Sequence, residues 1–137
     1  MTVINELIRV EADNTLSFGN YLLNEKTKKS DFEFEGDLYK VKTFHEITKL
    51  EKNGGLVYES VPGSTVMNFM VGTDAVSFSV EAADDVQITL ELEEDKVYRV
   101  FVNNANIGQM RTSLGGKVSI SATLNSNKTA NVFIERV

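Results

Sequence analysis

Seven carboxylates lie between Glu81 and Asp95 with no Lys or Arg among them, and they form a concentrated group of potential ligands. Carboxylate oxygens are the ligands that calcium prefers. Glu91 and Glu93 alternate with leucines, however, which is typical of the solvent-facing side of a strand. The stretch also lacks the Asp-x-Asp-x-Asp-Gly spacing of an EF-hand loop. We therefore expect no metal site and no bound cofactor.

The sequence contains one histidine, His45, and no cysteine. These counts exclude disulfides, thiolate metal sites, iron–sulfur clusters and any site that needs two imidazoles. Gly63-Ser64 lacks the second glycine of the turn that carries a nucleophilic serine. The sequence does not decide whether two carboxylates are paired for glycoside hydrolysis, because the distance between them cannot be read from a sequence. The sequence therefore predicts no catalytic residue and a protein that is not an enzyme, with a small glycoside-active enzyme as the least favoured alternative.

Lys26-Thr27-Lys28-Lys29 is the densest basic run, and Lys40 and Lys42 follow it beside Tyr39. Basic residues interleaved with aromatic ones are typical of surfaces that bind single-stranded nucleic acid. The chain carries 14 basic and 20 acidic residues, however, and its net charge of −6 repels phosphate backbones and anionic lipids. We expect the run to be a solvated loop, and we expect neither nucleic acid nor a membrane as a partner.

Several aromatic residues in the first half of the chain could form a platform for a sugar ring. They are Tyr21, Phe32, Phe34, Tyr39 and Tyr58. Aromatic side chains in alternating patterns belong more often to the hydrophobic core. The core interpretation is favoured, and carbohydrate is kept as the alternative partner.

The elements that position these residues are strands. Val, Ile and Thr make up a quarter of the chain, which is the composition of a half-buried pleated surface. Apolar residues alternate with polar ones in 76–80, 86–92 and 118–124, which predicts antiparallel strands with one wet face. Val97–Val102 is apolar on both faces except at Arg99, so we expect this strand to be central or covered on both sides.

Turn residues divide the chain into short strands, and Pro62-Gly63 is its strongest boundary. Before this boundary we expect strands at 6–10, 15–18, 20–24, 31–35, 37–43 and 56–61. After it we expect strands at 66–71, 76–82, 86–92, 97–103, 106–112, 117–124 and 131–136. The predicted fold is all-β, with an immunoglobulin-like antiparallel β-sandwich over 66–137 and a smaller β-rich layer over 1–65. One continuous domain with a shared core is the alternative.

Thr43–Lys52 is the segment that fits this pattern least well. Phe44, Ile47 and Leu50 recur at three-residue spacing with charged residues among them. This spacing suits one face of a short helix as well as an irregular strand. The sequence favours neither interpretation over the other.

Leu92 is followed by Tyr98 six residues later, just after the acidic turn 93–95. This arrangement resembles the tyrosine corner of immunoglobulin-like and fibronectin-type-III-like sandwiches, in which a Tyr hydroxyl bonds back to the backbone beside a turn. Glu94 departs from the proline that is usual in fibronectin-type domains. The resemblance implies that Tyr98 and Leu92 are structural residues, with Leu92 on the core face, and it implies no activity.

The whole chain resembles a group of small all-β proteins of anaerobic Gram-positive bacteria, some of which bear the label endosialidase. Four stretches carry the resemblance: Ile8–Glu11, Leu38–Phe44, Leu50–Gly54 and Val57–Gly63. Endosialidases have a large propeller-shaped catalytic core, which 137 residues cannot hold. The resemblance therefore implies no catalytic residues.

These observations together predict a soluble, non-enzymatic β-sandwich protein that acts by self-assembly or by binding another protein. A carbohydrate-binding module is the alternative. Edge strands and sheet faces make association of two copies physically easy, so the expected partner is the protein itself as a homo-oligomer. Neither a signal peptide nor a transmembrane segment is visible, so the default expectation for location is the cytoplasm.

Overall fold

Residues 3–137 are described in a computed structural model, and within them the chain forms strands and no helix. The strands are β1 (Ile8–Val10), β2 (Leu16–Phe18), β3 (Thr27–Phe34), β4 (Asp37–Thr43), β5 (Thr48–Lys52), β6 (Gly55–Val61), β7 (Thr65–Val71), β8 (Ala75–Glu81), β9 (Val86–Glu91), β10 (Val97–Val102), β11 (Ala105–Arg111), β12 (Lys117–Ala122) and β13 (Thr129–Arg136). The prediction of an all-β fold is confirmed.

The strands form two antiparallel sheets that pack face to face. Sheet A has seven strands in the order β1-β2-β7-β8-β13-β10-β11, and sheet B has six in the order β12-β9-β6-β5-β4-β3. Alternate residues of each strand enter one shared hydrophobic cluster between the sheets. This arrangement is a β-sandwich.

The alternating pattern located the strands after Pro62 well. All seven of those strands lie within two residues of their predicted bounds. In β12, for example, Val118, Ile120 and Ala122 are buried while Lys117, Ser119 and Ser121 are exposed. The period of two that is visible in the sequence is therefore the period of burial.

The strands before Pro62 were predicted less accurately. The structure contains β2, β4 and β6 near their predicted positions, but 20–24 is a turn and not a strand. The Asn20 side chain accepts a hydrogen bond from the Leu22 N–H at 3.1 Å, which stabilises this turn locally. The basic run from Lys26 to Lys29 was also misjudged as a loop, because Thr27 begins β3, an edge strand of sheet B.

Thr43–Lys52 forms a β-hairpin, so its interpretation as a helical turn is wrong. Thr43 ends β4 and Thr48 begins β5, and their hydroxyl groups are hydrogen-bonded at 2.8 Å. The Phe44 N–H closes the turn by donating to the Ile47 carbonyl at 3.0 Å. The three-residue spacing of Phe44, Ile47 and Leu50 therefore crosses a turn and does not follow one face of a helix.

Both sheets contain strands from each side of Pro62-Gly63. The joins are β2 with β7 in sheet A and β6 with β9 in sheet B. A side chain at Gly63 would overlap the Phe44 carbonyl oxygen, which lies 1.9 Å from an ideal Cβ position, so this corner requires glycine. The two layers thus do not correspond to residues 1–65 and 66–137, and the pairings favour the alternative of one continuous domain.

Strand β10 is an interior strand with one face open to solvent. It pairs with β11 on one side and with β13 on the other, as a central strand must. Tyr98, Val100 and Val102 are buried between the sheets. Phe101 points the other way and packs against Phe133 with ring centroids 6.0 Å apart. The expectation that this strand is central is confirmed, but its outer face is only half covered.

Tyr58 is fully buried among aromatic residues from the opposite sheet. Its ring lies 5.3 Å from Phe18, 6.3 Å from Phe69 and 5.7 Å from Phe78 between centroids, with each pair edge to face. Its hydroxyl group lies 2.8 Å from the Ser64 hydroxyl oxygen. The phenol group is therefore satisfied inside the core.

We expect the stability of the fold to decrease between about pH 10 and about pH 12. Burial raises the pKa of Tyr58 to about 12, against the opposing effect of its hydroxyl partners Ser64 and Ser60. The phenol of the unfolded chain loses its proton first, near pH 10, so rising pH favours unfolding by up to about 2–3 kcal/mol. Tyr58→Phe should lower the free energy of unfolding by about 0.5–1.5 kcal/mol near pH 8. It should also reduce the alkaline loss.

Urea unfolding at about pH 8 and about pH 11 measures both effects. Tyr21, whose pKa is also raised to about 12, titrates in both proteins and contributes equally to each. An alkaline loss of the same size in the wild type and in Tyr58→Phe would contradict the assignment to Tyr58.

Candidate functional site

The part of the chain that the structure describes offers neither a metal centre nor a membrane-spanning helix. Within residues 3–137, no group of three or more His, Asp or Glu side chains is placed to hold a metal ion. No helix in this range is long and apolar enough to cross a membrane.

The carboxylates of the acidic stretch make separate contacts instead of converging. Glu81 is buried and accepts a hydrogen bond from the Tyr21 hydroxyl at 3.0 Å. Asp85 accepts from the backbone N–H of Leu124 at 2.9 Å. At the far end of the stretch, Asp95 pairs with Arg111 at 2.9 Å. These three carboxylates therefore bond to three different parts of the fold and do not share one ligand site.

His45 and Ser64 lie close in the chain to Gly63, but they have different surroundings. The His45 side chain is exposed, and its Nδ1 lies 3.2 Å from the Leu23 carbonyl oxygen. Ser64 is buried and its hydroxyl oxygen lies 2.6 Å from that of Ser60. Ser64 is thus part of a hydroxyl cluster in the core, and His45 is part of the surface.

The Tyr98 hydroxyl lies beside the turn that precedes it. The backbone N–H of Glu93 donates to it at 3.3 Å, which is the backward direction of a tyrosine corner. Leu92 lies one residue beyond the end of β9 and is half-buried, so it occupies the edge of the core and not its centre.

Thr112 makes shorter hydrogen bonds to this turn than Tyr98 does, and no sequence pattern singled Thr112 out. Its hydroxyl donates to the Glu93 carbonyl at 2.7 Å and accepts from the Lys96 N–H at 3.0 Å. The only sequence signal was a Thr just after an alternating strand, which does not distinguish Thr112 from other threonines. This side chain joins both ends of the turn to the C-terminal end of β11.

Three lysines form a row across the outer face of sheet B. Lys28 lies opposite Lys42 in the register of β3 and β4, and Lys42 lies opposite Lys49 in the register of β4 and β5. None of the three ammonium groups forms an ion pair with the carboxylates in the described part of the chain. Like charges that face each other across strands destabilise a sheet.

The five aromatic residues of the proposed sugar platform do not form a single surface. Tyr21 and Tyr58 are buried in the core. Phe32, Phe34 and Tyr39 are half-buried at its edge. Phe34 and Tyr39 lie 6.1 Å apart between ring centroids and line an opening between the two sheets.

This opening, which we call the end cleft, has a volume of about 520 Å³ and lies at one end of the sandwich. Sheet A supplies Leu16, Phe69 and Val76 to its walls, and sheet B supplies Phe34, Tyr39, Val57 and Leu90. Turns at the ends of these strands form the rim. The rim residues are Asp13, Asn14, Glu35, Asp37, Lys52 and Glu91.

The rim carries more negative than positive charge. Burial raises the pKa of Tyr39, and the nearby carboxylates of Asp37 and Glu35 raise it further. The pKa of Asp37 is lowered, first by the hydrogen bond from the Asn53 amide and also by the Lys52 ammonium group at 3.4 Å. The carboxylates of Asp37 and Glu35 at the mouth of the cleft therefore disfavour ionisation of the Tyr39 phenol in its wall.

The second candidate surface is the outer face of sheet A. A cross-strand row runs through Met70, Ser77, Phe133, Phe101 and Asn106, each from a neighbouring strand. We call this row and its surroundings the sheet A face.

The surroundings of the row are polar but carry little unpaired charge. A depression of about 280 Å³ beside Phe101 and Phe133 is lined by Asn68, Ser79 and Asn131. Arg99 and Glu135 on the same face are paired with each other at 2.8 Å. The sheet A face thus differs sharply from the lysine row of sheet B.

Comparisons with protein-family models, with curated proteins and with solved structures give no match to this chain. The immunoglobulin-like character of 66–137 and the resemblance of the whole chain to small bacterial proteins therefore stay predictions. The functional argument depends on the two surfaces alone.

We expect Lys42→Thr to stabilise the protein by about 0.5–1 kcal/mol, because it removes two like-charge contacts from the lysine row and places a good strand former there. Lys117→Thr is the matched control, since Lys117 lies opposite Glu91 and loses an attractive contact instead. Urea unfolding at low and high salt measures both variants. A gain that is equal for the two substitutions, or that does not shrink at high salt, would count against charge repulsion.

We expect Thr112→Val to destabilise the protein more than Tyr98→Phe. The first change leaves the Glu93 carbonyl and the Lys96 N–H without their partner and should cost about 1–3 kcal/mol. The second change removes one long hydrogen bond and should cost about 0.5–1 kcal/mol, because the ring packing is kept. Thermal and urea unfolding of the two variants test this order. A reversed order would show that the Tyr98 hydroxyl is the main support of the turn, and equal costs would show that the two hydroxyl groups support it equally; either result contradicts the prediction.

Proposed function

We propose that this protein is a non-enzymatic β-sandwich that acts by associating with a second copy of itself through the sheet A face. The observation that carries the proposal is the Phe101–Phe133 pair, which lies on the adjacent interior strands β10 and β13 of sheet A and faces outward. Phe133 is 40% exposed, and Met70, which is 54% exposed, lies in the same cross-strand row beyond Ser77. Adjacent aromatic rings that face outward favour contact with another protein surface.

Charge supports this choice of face. Residues at the centre of protein interfaces are depleted in charge and enriched in aromatic residues and Met. The Arg99–Glu135 pair neutralises itself, so covering it leaves no isolated charge. The outer face of sheet B, by contrast, would bring the unpaired Lys28, Lys42 and Lys49 of two copies together.

The size of the face also suits a dimer. Seven strands spaced by about 4.8 Å, each about six residues long at about 3.3 Å per residue, give a face of about 700 Å². A stable interface of standard size covers about 800 Å² on each partner. A two-fold axis that passes through the Phe101–Phe133 pair would place each pair against its counterpart, as in an isologous dimer.

Carbohydrate binding is the second candidate function, and one observation favours it. Asn68, Asn131, Ser77 and Ser79 place amide and hydroxyl groups beside the Phe101–Phe133 pair. Uncharged donors and acceptors next to an aromatic surface are suited to a neutral sugar, whose hydroxyl groups need both. An immunoglobulin-like sandwich is compatible with either function, because this architecture hosts many functions.

We expect the wild-type protein in solution to have twice the 15.2 kDa mass of one chain. Phe133→Lys should convert it to a monomer, because two buried ammonium groups would face each other across the axis. Leu114→Lys is the control, since Leu114 is 87% exposed and lies in a loop outside the sheet A face. Light scattering after size exclusion, from about 1 to about 100 μM protein, measures the mass.

A wild-type protein that is monomeric over this whole range would contradict self-association. If that monomer binds a neutral soluble glucan and Phe133→Lys does not, the sheet A face is a carbohydrate site instead. A monomer that fails to bind the glucan excludes both functions for this face. A dimer that survives Phe133→Lys would show that association uses another surface.

A further inference from the structure

We propose that the end cleft is a binding site for an organic ammonium ion with an apolar body. The cleft combines apolar walls from both sheets with a rim on which carboxylates outnumber cations. This inference does not depend on the proposed association through the sheet A face, although Met70 belongs to both surfaces.

The space in the cleft has a structural origin. Phe34, Tyr39 and Val57 belong to strands of sheet B, yet they are only half-buried, because the opposite sheet does not close over them at this end. The cleft volume of about 520 Å³ lies in the range of about 300–1,000 Å³ that is typical of small-molecule sites. An apolar group that filled it would complete the packing of these side chains.

The charges at the rim define the head group of the ligand. Among the described residues that line the cleft, Lys52 is the one cation, and it already pairs with Asp37 at 3.4 Å. Asp13, Glu35 and Glu91 have no ion pair with the described residues. These carboxylates would attract an incoming cation and repel an anion, and Glu91, which lies opposite Lys117 in the register of β9 and β12, shares its charge with that lysine.

The hydrogen bonds at the rim hold these carboxylates without neutralising them. Asp13 accepts from the Thr15 hydroxyl at 2.6 Å. Glu35 accepts from the Asn14 amide, which joins the turn before β2 in sheet A to the turn after β3 in sheet B. The mouth is thus built from both sheets.

The aromatic wall supports the same ligand class. Phe34 and Tyr39 lie directly behind the rim carboxylates. A cation held between carboxylates and aromatic faces is attracted by both, and the attraction grows as water is excluded. A neutral ligand would gain only the apolar contacts.

Three probes of similar shape separate these contributions: 2-phenylethylammonium, 2-phenylethanol and 3-phenylpropionate. Each has about ten non-hydrogen atoms, so a dissociation constant of about 1 mM is a reasonable expectation for the ammonium probe. Titration followed by amide chemical shifts of the full chain reports both affinity and location. We expect saturable shifts around Leu16, Tyr39 and Leu92 with the ammonium probe, weaker ones with the alcohol, and none with the carboxylate.

The double variant Glu35→Gln/Glu91→Gln tests the role of the rim charge. Both residues are exposed and both substitutions keep the shape of the side chain. We expect affinity for the ammonium probe to fall by about threefold to tenfold, while affinity for the alcohol stays unchanged. Glu25→Gln/Glu59→Gln is the matched control, because it also removes two negative charges, one in the segment before β3 and one on the outer face of sheet B opposite Lys49, and neither residue lines the cleft.

Several results would overturn the proposal. These are the absence of saturable shifts with the ammonium probe, shifts that map to another surface, and equal affinity for all three probes. A loss in Glu25→Gln/Glu59→Gln as large as in Glu35→Gln/Glu91→Gln would also overturn it, since the effect would then come from net charge alone.

Discussion

The packing of Tyr58 against three phenylalanines of the opposite sheet is the interaction on which the rest of the structure depends. Tyr58 comes from β6 in sheet B, and Phe18, Phe69 and Phe78 come from β2, β7 and β8 in sheet A. A slip of β6 by one residue would turn Tyr58 to solvent and bring Glu59 into the core. The aromatic cluster therefore fixes the register of β6, and through β6 the join between sheet B's early and late strands.

The same cluster explains why one end of the sandwich is closed and the other is open. On one side of Tyr58, its hydroxyl group meets Ser64, and the buried hydroxyls of Thr48 and Ser60 fill the space between the sheets. On the other side, Phe69 forms part of the floor of the end cleft together with the buried Leu16, Val76 and Leu90, whereas Phe34, Tyr39 and Val57 in its walls are only half-buried. The cleft therefore begins at the edge of the aromatic cluster.

The sequence predicted the strands after Pro62 because alternation is a local property, and each of those strands buries one face. It could not decide between a helical turn and a strand at Thr43–Lys52, because apolar residues on both sides of a turn imitate a helical period. It did not predict the pairing of β2 with β7 or of β6 with β9, since these partners are distant in the chain. The end cleft escaped prediction for the same reason: its rim combines turns near residues 13, 35 and 91. The lysine row could not be predicted either, because it depends on the strand register that places Lys42 opposite both Lys28 and Lys49.

The two outer faces of the sandwich differ in charge, and this difference supports the proposed association through the sheet A face. One of the unpaired lysines of sheet B, Lys28, lies on the edge strand β3. Lysines on an edge strand discourage pairing with the strand of another sheet. The sheet A face lacks this protection at its centre. Met70 belongs to the cross-strand row of that face and also lines the end cleft. A second copy that covers the sheet A face would therefore contact one wall of the cleft, so the two surfaces are physically linked through a single side chain.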